Sequence, residues 1–232
     1  MKKIFVSSAL ALMLAFGSSL AAQTIGSVPD KSPYLDLHDG MRFGVVAGWL
    51  ATGSDVVGVG PKSAPMLGVR YDLAVGGPVY LTGSLFGAST TRTVLDYTKS
   101  AATRNVGTQS TGLVNANVAA AMSLTGLRTW HHLQPLVNLG VGFVSAPGDK
   151  ADVSGFKLGT MLSFSYGFGV RYATGRNSEF RFDLNQYWWQ LKYPDLYRST
   201  QGDPVAIRPT GGLSSYTANT TLTIAWSLRS FR

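Results

Sequence analysis

Between positions 158 and 172 the chain alternates with a period of two. Leu158, Thr160, Leu162, Phe164, Tyr166, Phe168, Val170 and Tyr172 carry the larger side chains. Gly159, Met161, Ser163, Ser165, Gly167, Gly169 and Arg171 fall between them and are mostly small or polar. A helix repeats at 3.6 residues and a strand at 2, so this segment is predicted to be a strand with one apolar and one polar face. It is long, since ordinary strands run about 5–6 residues.

The same alternation recurs. Leu67, Val69, Tyr71, Leu73 and Val75 share a face; so do Val114, Ala116, Val118, Ala120, Met122 and Leu124. Pro135, Val137, Leu139, Val141 and Phe143 form another set, and Tyr216, Ala218, Thr220, Leu222, Ile224, Trp226 and Leu228 a last one. Residues 41–52, 79–91 and 179–191 alternate less cleanly, and the phase of the last blurs at Tyr187-Trp188-Trp189. Eight strands result. Their connections alternate in size along the chain: short at 76–78, 126–132 and 174–177, long at 53–63, 92–110, 146–156 and 192–214. Single-chain bacterial outer-membrane barrels have even strand counts, short periplasmic turns and longer extracellular loops. The predicted architecture is therefore all-β: an eight-stranded antiparallel up-and-down transmembrane β-barrel with both termini periplasmic.

Composition sharpens the choice between a membrane barrel and a soluble one. Charged residues are 14% of the 232, against roughly 25% in a typical soluble domain. A soluble barrel turns its apolar face inward and needs charge outside, whereas the polar faces here carry mainly Gly, Ser, Thr and Asn. That suits a crowded lumen, because eight strands enclose a space just wide enough for side chains to fill. There is no cysteine, which excludes a disulfide framework, a thiolate metal site and a cysteine nucleophile. Lys2 and Lys3, the apolar run 4–16 and small residues up to Ala22 read as a secretory signal peptide, residues 1–21. Residues 22–40 read as a periplasmic lead-in or partial plug, and 41–232 as the barrel. The address implied is the outer membrane.

The polar faces hold charged candidates for the lumen: Arg70, Asp72, Arg171, Arg181, Asp183 and Arg229. Buried charges cost several kcal/mol unless paired, so an Arg/Asp network that fixes register is expected. If the turn at 174–177 sets Tyr172 opposite Phe180, Asp183 lies diagonal to Arg171. Trp49, Tyr71, Tyr172, Tyr216 and Trp226 fall on outward faces and are expected to form aromatic girdles at the two membrane interfaces.

Several stretches carry a family likeness. Gly68-Val69-Arg70-Tyr71-Asp72-Leu73, the run from Trp130-His131-His132-Leu133 through Gln134-Pro135-Leu136-Val137-Asn138 to Leu139-Gly140-Val141-Gly142, and Leu191-Lys192-Tyr193-Pro194 resemble the OmpA-like outer-membrane β-barrel domain family. The resemblance covers about residues 38–232, and its motifs encode strands and turns, not chemistry. It implies that Pro135, Val137, Gly140 and Gly142 lie on a strand entering from a short periplasmic turn. Members often end on an outward aromatic read by the barrel-assembly machinery. Here Phe231 precedes Arg232 and is out of phase with Trp226 and Leu228.

Candidate chemistry is sparse. His38 precedes the barrel, and His131 and His132 share a turn expected at the periplasmic end, away from where a lipid A deacylase or acyltransferase works. Ser84 lies in Gly83-Ser84-Leu85-Phe86-Gly87, but mid-strand and without the strand-to-helix elbow that such a nucleophile needs. Gly167-Phe168-Gly169 lacks the rest of a dinucleotide fingerprint. No catalytic, cofactor or metal site is read from the sequence. The formal charge of +8, or +6 without the leader's two lysines, is scattered and forms no nucleic-acid stripe. Loop lysines and arginines are instead expected to meet lipopolysaccharide phosphates. The reading is a non-enzymatic, monomeric structural or surface-interaction barrel whose long loops do the binding. The alternatives are a narrow channel or small-molecule carrier, and a lipid A-modifying enzyme.

Overall fold

A computed structural model describes residues 32–36, 40–174, 177–200 and 206–231. The leader expected at 1–21, His38 and most of the lead-in lie outside the described residues. Ten strands follow in chain order: β1 (Tyr34–Asp36), β2 (Met41–Ala51), β3 (Ala64–Gly76), β4 (Val79–Leu95), β5 (Asn105–Ser123), β6 (Arg128–Trp130), β7 (Leu133–Ser145), β8 (Thr160–Ala173), β9 (Ser178–Lys192) and β10 (Ser214–Phe231). The eight long ones pair antiparallel with their neighbours. β10 returns to β2, and β7 pairs with both β5 and β8, so the ring closes. Within the ring itself, closure pairs both edges of each long strand. Residues 195–198 add one turn of 3-10 helix, and among the described residues no helix is long and apolar enough to cross a membrane.

The faces follow the alternation. On β8 every odd position from Met161 to Arg171 is buried, and every even position from Thr160 to Tyr172 is exposed. Tyr172 stands opposite Phe180, the register expected from the turn. The three weaker segments prove equally regular. Arg42, Val46 and Leu50 point inward from β2, and Tyr80 and Phe86 from β4. On β9 Tyr187 and Trp189 point inward and Trp188 outward. Their pattern is muted because these strands send large apolar groups into the lumen as well as out of it. The phase at 187–189 is thus a strict alternation, not a blur.

Two connections differ from expectation. β4 and β5 stay paired as far as Leu95 and Asn105, so the loop expected at 92–110 shrinks to residues 96–104. The β5–β7 pairing stops at Val114 and Ser145, which leaves the top of the β4–β5 hairpin as an arm beyond the ring. The turn expected at 126–132 contains β6, which pairs with β1. Within the lead-in, Tyr34–Asp36 form a strand that pairs with β6 at the short-turn end. At the other terminus the β10–β2 register shifts between Arg229 and Phe231, seating Phe231 opposite Met41.

The lumen's narrowness shows at Gly142. A Cβ there would press on the Ala116 carbonyl and the Asn117 backbone of β5. Gly83, on the outer face of β4, would put its Cβ no nearer than 4.0 Å from the Tyr71 carbonyl. Gly142→Ala is therefore expected to destabilise the barrel by about 1–3 kcal/mol through overpacking. Gly83→Ala is expected to stay within about 0.5 kcal/mol of the parent. Denaturant midpoints of the two variants check the contrast.

Candidate functional site

The inside of the barrel is built in two layers. Toward the short turns lies a charged layer. Asp72 Oδ1 accepts from Arg70 Nε at 3.2 Å, Arg181 Nη1 at 3.3 Å and Thr82 Oγ1 at 2.5 Å. Asp183 accepts from Arg70 Nη1 at 2.5 Å, Arg181 Nε at 3.0 Å and Asn138 Nδ2 at 3.0 Å. Arg181 Nη2 donates to Asn138 Oδ1 at 2.8 Å. The two arginines and two aspartates thus form one crossed unit spanning β3 and β9. Glu179 lies 2.8 Å from Arg42 Nη1 and 3.0 Å from Arg171 Nε, at ion-pair distance but off the hydrogen-bond axis. Arg171 also donates to Gln134 Oε1 at 2.9 Å and stacks over Tyr80, 4.4 Å from its ring centre. Among the described residues, four arginines here (Arg42, Arg70, Arg171 and Arg181) face three carboxylates (Asp72, Glu179 and Asp183), a formal excess of one positive charge.

Five of the six expected lumen residues, Arg70, Asp72, Arg171, Arg181 and Asp183, are buried in this layer. Arg229 is not among them. It is half-buried at the strand end, where a Cβ on Gly40 would touch its Nε. Asp183 does lie diagonal to Arg171 in register, yet its partners are Arg70 and Arg181. Arg171 uses the other diagonal, Glu179, which stands opposite Ala173. Glu179 and Arg42 were missed by the sequence reading. Both lie in phase with inward residues at strand starts, and the diagonal rule that singled out Asp183 applies equally to Glu179.

Toward the long loops the lumen is apolar. Val46, Leu50, Met66, Phe86, Leu113, Val144, Met161, Tyr187, Trp189 and Leu191 form one buried cluster that continues into the loop residues Val59, Phe156, Leu158, Tyr193 and Tyr197. Among the strand residues of this layer a cavity of about 20 Å³, lined in part by Phe86, Asn115 and Trp189, has room for one water molecule.

The loops close over this cluster as a cap. Arg92, at the top of β4, is fully buried. It pairs with Asp149 and Asp152 at 3.1 Å each, donates to the Lys150 and Phe156 carbonyls at 2.9 and 3.2 Å, and lies 5.2 Å from the Phe156 ring centre. Phe156, Tyr193 and Tyr197 stack on one another at 5.9–6.2 Å. Tyr193 donates to Asp55 Oδ2 at 2.8 Å, and Asp55 in turn accepts the backbone N–H groups of Val57, Val59 and Gly60. Burial, with the Asp55 carboxylate beside it, holds the Tyr193 phenol well above its usual range; burial and the nearby Asp152 raise Tyr197 likewise. Residues 52–63, 146–159, 193–200 and 206–213 thereby belong to loops tied to the β4–β5 arm. The long loops, expected to carry any binding, thus also pack against one another.

On the outer wall, Trp49 (50% exposed), Tyr71 (37%), Tyr172 (42%), Tyr216 (62%) and Trp226 (45%) all face outward. Trp49 and Tyr216 lie near the long-loop ends of β2 and β10, and Tyr172 and Trp226 toward the short turns. Tyr71 sits deeper, in a cross-strand row with Phe43, Gly83, Val118 and Val141. Ser84 pairs opposite Arg70 and Asn117 within the sheet, with its hydroxyl toward the Asn117 carbonyl at 3.5 Å. Both ring residues His131 and His132 are exposed at the short-turn end. Among the described residues no group of three potential ligands is placed to hold a metal ion.

Among solved structures, the chain is similar to Neisserial surface protein A, with a TM-score of 0.51 and 11% identity over 86% of this chain and 98% of that one. OprG of Pseudomonas aeruginosa aligns over 84% of this chain and 99% of its own, with 12% identity and a TM-score of 0.48. No family model and no curated protein matches the chain. The likeness to Neisserial surface protein A is one of fold, and that fold is the eight-stranded outer-membrane β-barrel.

Two substitutions probe the interior. Asp183→Asn leaves Arg70 and Arg181 to share Asp72 and is expected to cost about 3–5 kcal/mol, the usual loss when one partner of a buried pair goes; the denaturant midpoint reads it. Arg92→Met strands Asp149 and Asp152 in the cap. Limited proteolysis is expected to cut within 146–159 in that variant, while the ring below resists.

Proposed function

We propose that the chain is a surface protein of the bacterial outer membrane, of the OmpA-like kind, that works as a closed barrel and not as a pore. The observation that carries this reading is the filled interior: a paired ionic layer, then an apolar cluster, then an interlocked cap. An ion crossing it meets buried guanidiniums already engaged by carboxylates, then side chains with nothing to replace its hydration. The outer wall supports the membrane setting. Leu67, Leu139, Phe143, Phe168 and Leu222 are each more than half exposed, an arrangement that water does not favour and lipid does.

Function then rests on what the cap displays to the outside. Lys62, Lys99, Lys150, Lys157, Lys192 and Arg198 are exposed there and form the basic surface offered to lipopolysaccharide phosphates. The protein acts as a monomer that the barrel-assembly machinery inserts after its signal peptide is removed. It carries no catalytic residues: the His131–His132 pair sits at the periplasmic end in this orientation, far along the chain and the barrel from the cap.

Reconstitution in a planar bilayer tests the closed state. The folded protein, recognised by heat-modifiable migration on a denaturing gel, is expected to give no steady conductance. A reproducible single-channel step from the wild-type chain would restore the channel reading.

A further inference from the structure

A row of outward residues runs across the short-turn end and does not stop at the barrel. Trp226 on β10 stands opposite Phe180 on β9, Phe180 opposite Tyr172 on β8, and Tyr172 opposite Leu133 on β7. Leu133 pairs on its other flank with Trp130 of β6, and Trp130 with Tyr34 of β1. Five of these six residues are aromatic. Trp130 and Tyr34 are 50% and 51% exposed, as open as Tyr172 and Trp226 on the ring itself. The β1–β6 flap therefore extends the outer aromatic row by two strands that the ring does not need for closure.

The turn that makes this possible is unusual. Trp130 and Leu133 close a two-residue hairpin whose central residues, His131 and His132, both have positive φ, 48° and 66°. Such turns are ordinarily Asn-Gly or Gly-Gly, since glycine adopts that backbone freely and histidine does not. The two imidazoles are thus held where the main chain resists them. The His131 ring meets Trp130 edge-on at 4.8 Å, and the His132 ring meets Tyr172 at 6.2 Å. Both imidazoles thus flank the aromatic row. An aromatic body with a polar rim beside it is the pattern of the membrane–water interface, where amphipathic rings sit at headgroup level.

We propose that the β1–β6 flap is an interfacial anchor that seats on the phospholipid headgroups of the periplasmic leaflet, with Trp130 and Tyr34 in the headgroup layer and His131 and His132 facing its phosphates. The proposal rests on the outer-membrane reading. Its occupant follows from continuity: the row that Trp226 and Tyr172 begin on the lipid-facing wall is the row that Trp130 and Tyr34 complete. β1 acquires a role by the same argument, holding β6 against the bilayer.

Quenching of tryptophan fluorescence tests it. The full chain is folded into phosphatidylcholine–phosphatidylglycerol vesicles whose lipids carry bromine just below the headgroup or at the chain ends. The contribution of Trp130 is the difference between wild type and Trp130→Phe, and that of Trp226 the difference from Trp226→Phe. Trp130 is expected to be quenched by the shallow bromines as strongly as Trp226 is, and little by aqueous iodide. Quenching of Trp226 by bromine with Trp130 open to iodide overturns the anchor and leaves the barrel reading intact, the flap then serving a soluble periplasmic partner. Failure of both tryptophans to feel bromine overturns the outer-membrane reading itself. The chain has no cysteine, so Tyr34→Cys with a nitrobenzoxadiazole label gives a second measure should Trp130→Phe misfold. Blue-shifted emission in vesicles is expected, and water-like emission overturns the proposal.

Discussion

Everything in this molecule answers to the volume that eight closed strands enclose. The ring is too narrow to hold bulk water and too wide to be left empty, so its interior has to be built from side chains. The chain builds it twice, in two chemistries. The lower layer uses long arginines because a guanidinium reaches across the lumen and offers donors in several directions at once. Arg70 from β3 and Arg181 from β9 each touch both aspartates, which ties together strands that are not hydrogen-bonded neighbours. The upper layer uses Phe86, Tyr187 and Trp189, bulky enough to fill the same cross-section without any charge to satisfy.

That division explains which parts of the fold were legible in the sequence. β8 and β10 read cleanly because their inward positions are small or polar and their outward positions large, so hydropathy alone separates the faces. β2, β4 and β9 carry Val46, Leu50, Phe86, Tyr187 and Trp189 inward, and a strand apolar on both faces has no hydropathy contrast to read. Five lumen charges were legible for the same reason that β8 was: a charge on an alternating strand has one face on which it belongs. Their pairing was not. Arg171 had two carboxylates on its diagonals, and the choice of Glu179 over Asp183 depends on Arg70 reaching over from β3, a contact between positions 113 residues apart.

The cap was the least legible element, and the reason is physical. Loop residues have no period, so Arg92, Asp149 and Asp152 look like three more solvated charges. What removes them from water is the β4–β5 arm, which keeps its pairing beyond the ring and so delivers Arg92 into the middle of the other loops. A buried guanidinium with two carboxylates, two carbonyls and a ring face around it is fully used, and its neighbours are fixed by using it. The exposed loop residues adjacent in sequence to these anchors are therefore presented on a rigid surface. Val56 follows Asp55, Val153 follows Asp152, and Leu196 precedes Tyr197; each is exposed beside a residue that the cap holds in place. Rigid presentation lowers the ordering cost of any encounter at this end.

The two ends of the barrel thus solve opposite problems with the same residue types. At the long-loop end aromatic rings turn inward, stack on one another and seal the lumen against water. At the short-turn end Trp130 and Tyr34 turn outward on the added strands β6 and β1. A ring of eight strands needs neither strand for closure, and β6 can form only by accepting two histidines in a backbone region that suits glycine. Ordering three residues of β1 also costs conformational entropy that three pairings scarcely offset by themselves. The balance closes when the outward faces of these residues are covered as well as paired. In the proposed anchor that covering medium would be the lipid interface assigned to Trp226 and Tyr172, and burial against it would stabilise the flap through the same term that stabilises the wall.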